Sequence, residues 1–253
     1  MRSNRLIGAV SLTLVLLAAL SWLLPEIRLD TWFADLVVVV TDTGSAGRVP
    51  FVAVVGIGLV TVGGRRHWAG RAGLLAVIFL LVLGSTAAVN EYLLKPALAS
   101  PRPDIVALTE SGALGTAFPD AETLYAVGAK DDRRAVLEAL LPGVDDPALS
   151  EQVQERWILE TGWSFPSGHS QGAAMLAVVV GVSAFTAGGW RRWLLYGFCA
   201  WAGAVALSRV LLQVHRPIDV VAGAALGGLW AWLVLGIFDR FAPEPEGRSP
   251  VLR

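Results

Sequence analysis

Three short runs of residues carry side chains suited to phosphate chemistry. They are Lys95-(six residues)-Arg102-Pro103, Pro166-Ser167-Gly168-His169, and Ser208-Arg209-(five residues)-His215-(three residues)-Asp219. Together they offer three cations, a glycine turn at a helix start, and two of the chain's three histidines, one of them four residues ahead of a carboxylate. Proline fits the first turn of a helix, where its missing N–H would be unpaired in any case. Ser167 and Gly168 can then present backbone N–H groups to an anion, and the helix dipole adds partial positive charge at the same place. Lys95, Arg102 and Arg209 would stabilise the equatorial oxygens of a phosphoryl group in transit. Asp219 is near enough in sequence to accept a hydrogen bond from His215, fixing the tautomer that aims a ring lone pair at an electrophile. His215 is therefore the candidate nucleophile, and His169 the candidate proton donor to a departing alkoxide. His67 lies among arginines with no carboxylate nearby and stays outside the site. Glu91, four residues before Lys95, reads as a structural ion-pair partner; neither it nor Asn90 is assigned a catalytic role.

These residues need a scaffold, and composition says which kind. Of 253 residues, 55% are hydrophobic and 16% charged, with a mean hydropathy of +0.60. That is a polytopic membrane protein, not a soluble domain. Apolar stretches at about 6–24, 47–63, 72–94, 166–187, 193–213 and 217–238 approach the ~20 residues that cross a ~30 Å hydrocarbon layer, the second being short. The expected fold is all-α, with six transmembrane helices and an extracytoplasmic helical loop over 96–165 between helices three and four. One domain covers 1–240, and 241–253, with three prolines, is expected to be a disordered cytoplasmic tail.

Arg2 and Arg5, then Arg65, Arg66 and Arg71, then Arg191 and Arg192 sit in segments without an acid, whereas 95–165 carries twelve acids against six bases. By the positive-inside rule both termini are cytoplasmic and the long loop lies outside. All three motifs then face the outer side. The first apolar run is expected to be an uncleaved helix instead of a signal peptide. Cys199 is alone, so no intramolecular disulfide is possible. A net charge of −1 gives no nucleic-acid footprint. No carboxylate or cysteine cluster has metal-ligand spacing, so no cofactor is expected, and no obligate protein partner is inferred.

Two amphipathic helices are expected in the loop. One runs from Asp132 with Val136, Leu137, Leu140 and Leu141 on one face, and the other follows an Asp146-Pro147 cap with Leu149, Val153 and Trp157 through about Glu160. A further helix after Asp30 as cap would place Trp32, Phe33, Leu36, Val37 and Val40 on one face, lying in the outer interface.

At these three motifs the chain resembles the type 2 phosphatidic acid phosphatase superfamily, whose three-part signature matches at Lys95, Arg102 and Pro103, at Pro166 to His169, and at Ser208, Arg209, His215 and Asp219. Within it, Ser100 to Pro103, Arg156-Trp157, Glu160 to Gly162 leading into Phe165 to His169, and Ser208 to Leu212 resemble the bacterial phosphatidylglycerophosphatase B group. The resemblance implies a metal-independent lipid phosphatase of the bacterial inner membrane working through a phosphohistidine. His215 would be nucleophile, Asp219 its partner, His169 general acid, and Lys95, Arg102, Ser167, Gly168 and Arg209 the phosphate ligands. Implied substrates are lipid phosphates in the bilayer: phosphatidylglycerol phosphate, or alternatively undecaprenyl diphosphate, phosphatidic acid or diacylglycerol pyrophosphate. Soluble vanadium haloperoxidases share the constellation and form a distant alternative.

Overall fold

The computed structural model describes residues 2–62, 67–144 and 147–242, which are helical with no strand among them. The first part of the chain forms α1 (Arg2–Ala19), α2 (Trp32–Thr43), α3 (Val49–Thr61) and α4 (His67–Val89), the last running through a π-helical turn, Asn90–Leu94, into α5 (Lys95–Leu98). Four short helices follow: α6 (Pro103–Glu110), α7 (Ala121–Tyr125), α8 (Lys130–Leu140) and α9 (Glu151–Leu159). The chain then builds α10 (Gly168–Ala187), α11 (Arg192–Leu211) and α12 (Pro217–Phe241).

Among the described residues, five helical segments are long and apolar enough to cross a membrane: Asn4–Leu23, Gly70–Leu98, Gly168–Ala187, Gly189–Leu211 and Pro217–Phe241. The expected second span is apolar but only 13 residues long, which at 1.5 Å per residue reaches about 20 Å. The six expected spans are thus five of full length and one short helix that begins with Pro50 in its first turn.

α10 is apolar on every face and buried along most of its length, as a helix without a polar stripe must be. It packs mainly against α11 and α12, with α1, α3 and α4 around them. The α10–α12 contact depends on Gly223 and Gly227. A Cβ on either would lie 2.4 Å from a backbone carbonyl of α10 or its cap, that of Ser167 or of Gln171 respectively. Small residues one turn apart let two helix backbones close without lipid between them. The closure also sets register: the Ser167 N–H donates to the Asp219 carbonyl at 3.0 Å, so the start of α10 is locked to the start of α12.

Above this bundle sits a second apolar cluster. It joins Val37 and Val38 of α2, Ile105 and Leu108 of α6, Leu124 of α7, Leu137 of α8, and Val153 and Trp157 of α9 to Leu212 and Val214. Trp157 Nε1 donates to the Leu212 carbonyl at 3.0 Å, pinning the loop to the end of α11. α8 begins two residues ahead of Asp132, because that side chain accepts from the Ala129 N–H at 2.8 Å and caps the turn before it. α9 is capped by Ser150, whose hydroxyl accepts from the Val153 N–H at 3.3 Å. The expected Asp146 cap lies outside the described residues, as do Arg65, Arg66 and 243–253 of the tail. α2 is capped by Thr31, not Asp30, which instead pairs with Arg28. Its exposed stripe is Trp32, Phe33, Leu36 and Val39, while Val37 turns inward because Ala34, Val38 and Thr41 pack with it against the protein.

Replacing Gly227 with leucine should lower the melting temperature in detergent by the equivalent of about 2 kcal/mol or more, since a backbone carbonyl cannot yield. Gly236→Leu, where nothing lies within 4 Å, should shift it by less than about 0.5 kcal/mol. Equal effects would contradict the close-packed α10–α12 seam.

Candidate active site

The ends of α5, α10, α11 and α12 that bear the three motifs come together beneath the loop cluster. At the π turn the ladder of α4 widens, a distortion common at functional sites, and Asn90 Nδ2 reaches the Pro166 carbonyl at 3.5 Å. This bond ties the first motif's helix to the second motif. The Ser167 hydroxyl caps α10 by accepting from the Ser170 N–H at 3.4 Å, leaving Gly168 exposed at the helix start.

One carboxylate organises the cations. Glu160 Oε2 accepts from Arg102 Nη1 at 2.8 Å and also from Arg209 Nη2, and Arg156 Nη1 stands 3.6 Å from Oε1. Arg102 is oriented further by donating to the carbonyls of Gly162 at 2.9 Å and Val214 at 3.0 Å. Arg209 donates to Thr41 Oγ1 of α2 at 2.8 Å and is fully buried. Burial by itself would raise the Glu160 pKa, but the Arg209 and Arg102 guanidiniums outweigh it and hold the carboxyl well below its usual range. His169 also lies within electrostatic range of Glu160, and its Nε2 is buried with no hydrogen-bond partner.

Opposite this hub, His215 Nδ1 lies 3.4 Å from Asp219 Oδ2 and 3.2 Å from Ser164 Oγ. The Ser164 hydroxyl donates to the same Asp219 oxygen, and the Arg216 N–H donates to it at 2.8 Å. The Asp219 carboxylate is thereby fixed on its own helix turn with its oxygen toward the imidazole. Burial, then the charge of Arg102, push the His215 pKa well down, with Asp219 opposing them.

Arg102, Arg209 and His169 therefore lie within electrostatic range of Glu160, and His215 within range of both guanidiniums, while Ser167 and Asp219 are joined by their backbone hydrogen bond. Lys95 is nine-tenths buried and pairs with Glu91 at 2.8 Å, the structural pairing their spacing suggested. The Glu91 carboxylate is in turn within electrostatic range of Arg102. Two members were not visible as site residues beforehand. Glu160 looked like the last residue of an amphipathic helix, yet α9 ends at Leu159 and leaves it to turn inward. Ser164 carried no spacing signal at all. The clue to the former was its place in the stretch Glu160 to Gly162 that carries the family resemblance, six residues before Pro166.

Asp104 is also fully buried, and neither carboxylate oxygen has a hydrogen-bond partner. Desolvation pushes its pKa up to about 7 against the pull of Arg102. The native protein thus keeps a proton that the unfolded chain loses near pH 4, so stability falls as pH rises from about 4 to about 7 and is level above. Asp104→Asn should gain melting temperature over the parent at about pH 8.5 and little at about pH 4.5; a gain independent of pH would contradict this. Glu160→Ala strands two buried guanidiniums and should cost about 3 kcal/mol or more in thermal or chemical unfolding, and a neutral effect would remove Glu160 from the centre of the site.

A sequence model of the PAP2 superfamily matches residues 75–242, a span that contains all three motifs. The chain is similar to the phosphatidylglycerophosphatase B of Escherichia coli, 29% identical over 161 residues, covering 60% of this chain and 58% of that one. It is 39% identical over 89 residues to the phosphatidylglycerophosphatase B of Haemophilus influenzae, covering 32% and 34%. A lipid A 4'-phosphatase of Bacteroides thetaiotaomicron is 32% identical over 90 residues, covering 36% and 38%. The chain spans between about a third and three fifths of the length of these curated relatives. With most of the chain inside the family match and all three motifs within it, this membrane protein belongs to the PAP2 superfamily.

Proposed function

We propose that the protein is a lipid phosphatase that removes a terminal phosphate from a membrane lipid through a phosphohistidine intermediate. The observation that carries the reading is a buried, carboxylate-oriented imidazole, His215, within electrostatic range of two buried guanidiniums that share Glu160. Asp219 accepting from Nδ1 leaves the lone pair on Nε2. That nitrogen attacks phosphorus and the ester P–O bond breaks. His169 gives its proton to the alkoxide. A water that loses a proton to His169 then attacks the phosphohistidine, its P–N bond breaks, and inorganic phosphate leaves with His215 restored. Arg102, Arg209, Lys95 and the N–H at Gly168 hold the equatorial oxygens throughout, while the Ser167 N–H stays on the Asp219 carbonyl and the Ser167 hydroxyl caps the helix that presents Gly168.

Phosphatidylglycerol phosphate is the favoured substrate, since two of the relatives carry phosphatidylglycerophosphatase names. Undecaprenyl diphosphate, phosphatidic acid and diacylglycerol pyrophosphate are the nearest alternatives, because the pocket grips a phosphate and the chains are merely apolar. The reading places the protein in the bacterial inner membrane with both termini cytoplasmic and the pocket on the outer face. The acidic loop at the motif end, with Arg71, Arg191 and Arg192 at the other, supports that orientation. Metal independence is part of the proposal, the cations standing where magnesium would otherwise act.

In detergent with a chelator present, the protein should release phosphate from phosphatidylglycerol phosphate. His215→Ala should reduce kcat by about 10³-fold or more, and vanadate should inhibit. Turnover that survives His215→Ala would eliminate the phosphohistidine route. Halide oxidation with added vanadate would point to haloperoxidase chemistry instead.

A further inference from the structure

Lys130 opens α8, well away in sequence from the three motifs. Its Nζ stands 3.7 Å from Glu91 Oε1, while the other oxygen of that carboxylate holds Lys95 Nζ at 2.8 Å. Two ammonium groups thus share one carboxylate, and the cluster keeps an unbalanced positive charge. The Lys130 stem also passes over Gly162: a Cβ there would lie 3.8 Å from Lys130 Cδ, 3.9 Å from Cε and 3.5 Å from Glu91 Oε1. Gly162 is the residue whose carbonyl orients Arg102. Lys130 therefore reaches the edge of the cation pocket from the loop side.

Its backbone is fixed and its head, in a long ion pair with Glu91, is half exposed. The Lys130 carbonyl accepts from Thr161 Oγ1 at 2.7 Å, and Arg133 one turn later donates to the Thr161 carbonyl at 2.8 Å. The side chain is 44% exposed, against 10% for Lys95. A long, half-exposed ion pair of this kind contributes little to stability. It leaves a compact, strongly hydrated point charge that a ligand can recruit.

The geometry points to Lys130 as a specificity-determining residue that binds a second anionic group of the substrate, the phosphate next to the one being removed. The inference rests on the lipid-phosphatase reading above. With the terminal phosphate among Lys95, Arg102 and Arg209, a neighbouring phosphodiester or a second phosphate of a diphosphate extends outward past Gly162 and meets the Lys130 ammonium. A lipid with a single phosphate has nothing to place there. The residue thus favours headgroups bearing two phosphates over phosphatidic acid.

The test compares Lys130→Gln and Lys130→Arg with the parent protein in detergent. Substrates are phosphatidic acid, phosphatidylglycerol phosphate and diacylglycerol pyrophosphate, with orthophosphate and pyrophosphate as competing inhibitors. Lys130→Gln should raise KM for the two-phosphate lipids about 10-fold, with kcat and the phosphatidic acid constants changed by less than about 2-fold. It should weaken inhibition by pyrophosphate but not by orthophosphate, and Lys130→Arg should restore most of the loss. Equal losses on all lipids, or no loss on any, would overturn the assignment and leave Lys130 a structural tether of α8. A parent protein that hydrolyses none of the lipids fails the phosphatase reading itself, and this inference with it. A parent that hydrolyses them while Lys130→Gln discriminates nothing fails the inference alone.

Discussion

Arg102 and Arg209 arrive from opposite ends of the family signature, yet both donate to the same oxygen of Glu160 in a region closed to solvent. Taking ions of this kind out of water costs several kcal/mol each unless the geometry repays it. Here it is repaid by a set of fixed partners: the carbonyls of Gly162 and Val214, the hydroxyl of Thr41, and Arg156 on the other Glu160 oxygen. Arg156 also pairs with Asp42 of α2, which holds Arg48 at 3.0 Å. The charge network therefore runs from the interface helix through the loop into the bundle. Any of these elements displaced alone would leave a buried charge without its counter-ion.

Such a network can exist only because two apolar clusters close on it from either side. Below, α10 and α12 meet with backbone against a glycine surface, and that contact fixes where Ser167 lies relative to Asp219. Above, Trp157 and its neighbours clamp α9 onto Leu212. The residues between the clusters form a polar layer whose side chains are held by both. This is the preorganisation that charge stabilisation requires, since dipoles already aimed at the ligand need no rearrangement when charge develops.

The bundle was legible because apolar run length is a strong physical signal, and the three motifs because their residue types are costly in a membrane without a purpose. The loop was legible in part. α8 and α9 show helical periodicity, but α6 and α7 are one or two turns long and hold together only by packing into the second cluster. The start of α8 slipped by two residues because Asp132 works as a capping side chain inside the first turn, not ahead of it. Val37 of α2 turned inward because that helix is apolar on both sides, one buried and one exposed, and sequence period cannot rank two apolar faces. Glu160 was hidden for another reason: its meaning lies in Arg102 and Arg209, which no local pattern connects to it.

On the phosphohistidine reading proposed above, the same cations decide which nucleophile could serve beside them. A carboxylate placed among Arg102 and Arg209 becomes an ion-pair partner, as Glu160 shows, with one oxygen shared by both guanidiniums and its pKa driven down. A protonated imidazole would be repelled by those guanidiniums. A neutral imidazole is neither captured nor expelled, and burial together with Arg102 pushes His215 toward that form. Asp219 then has a limited task. It orients Nδ1 without sitting so close to the arginines that it joins their network, and Ser164 and the Arg216 N–H hold it in that position. Under that reading, cation density that would disable an acidic nucleophile favours phosphate and preserves the ring lone pair at once, so binding and attack would draw on one electrostatic arrangement.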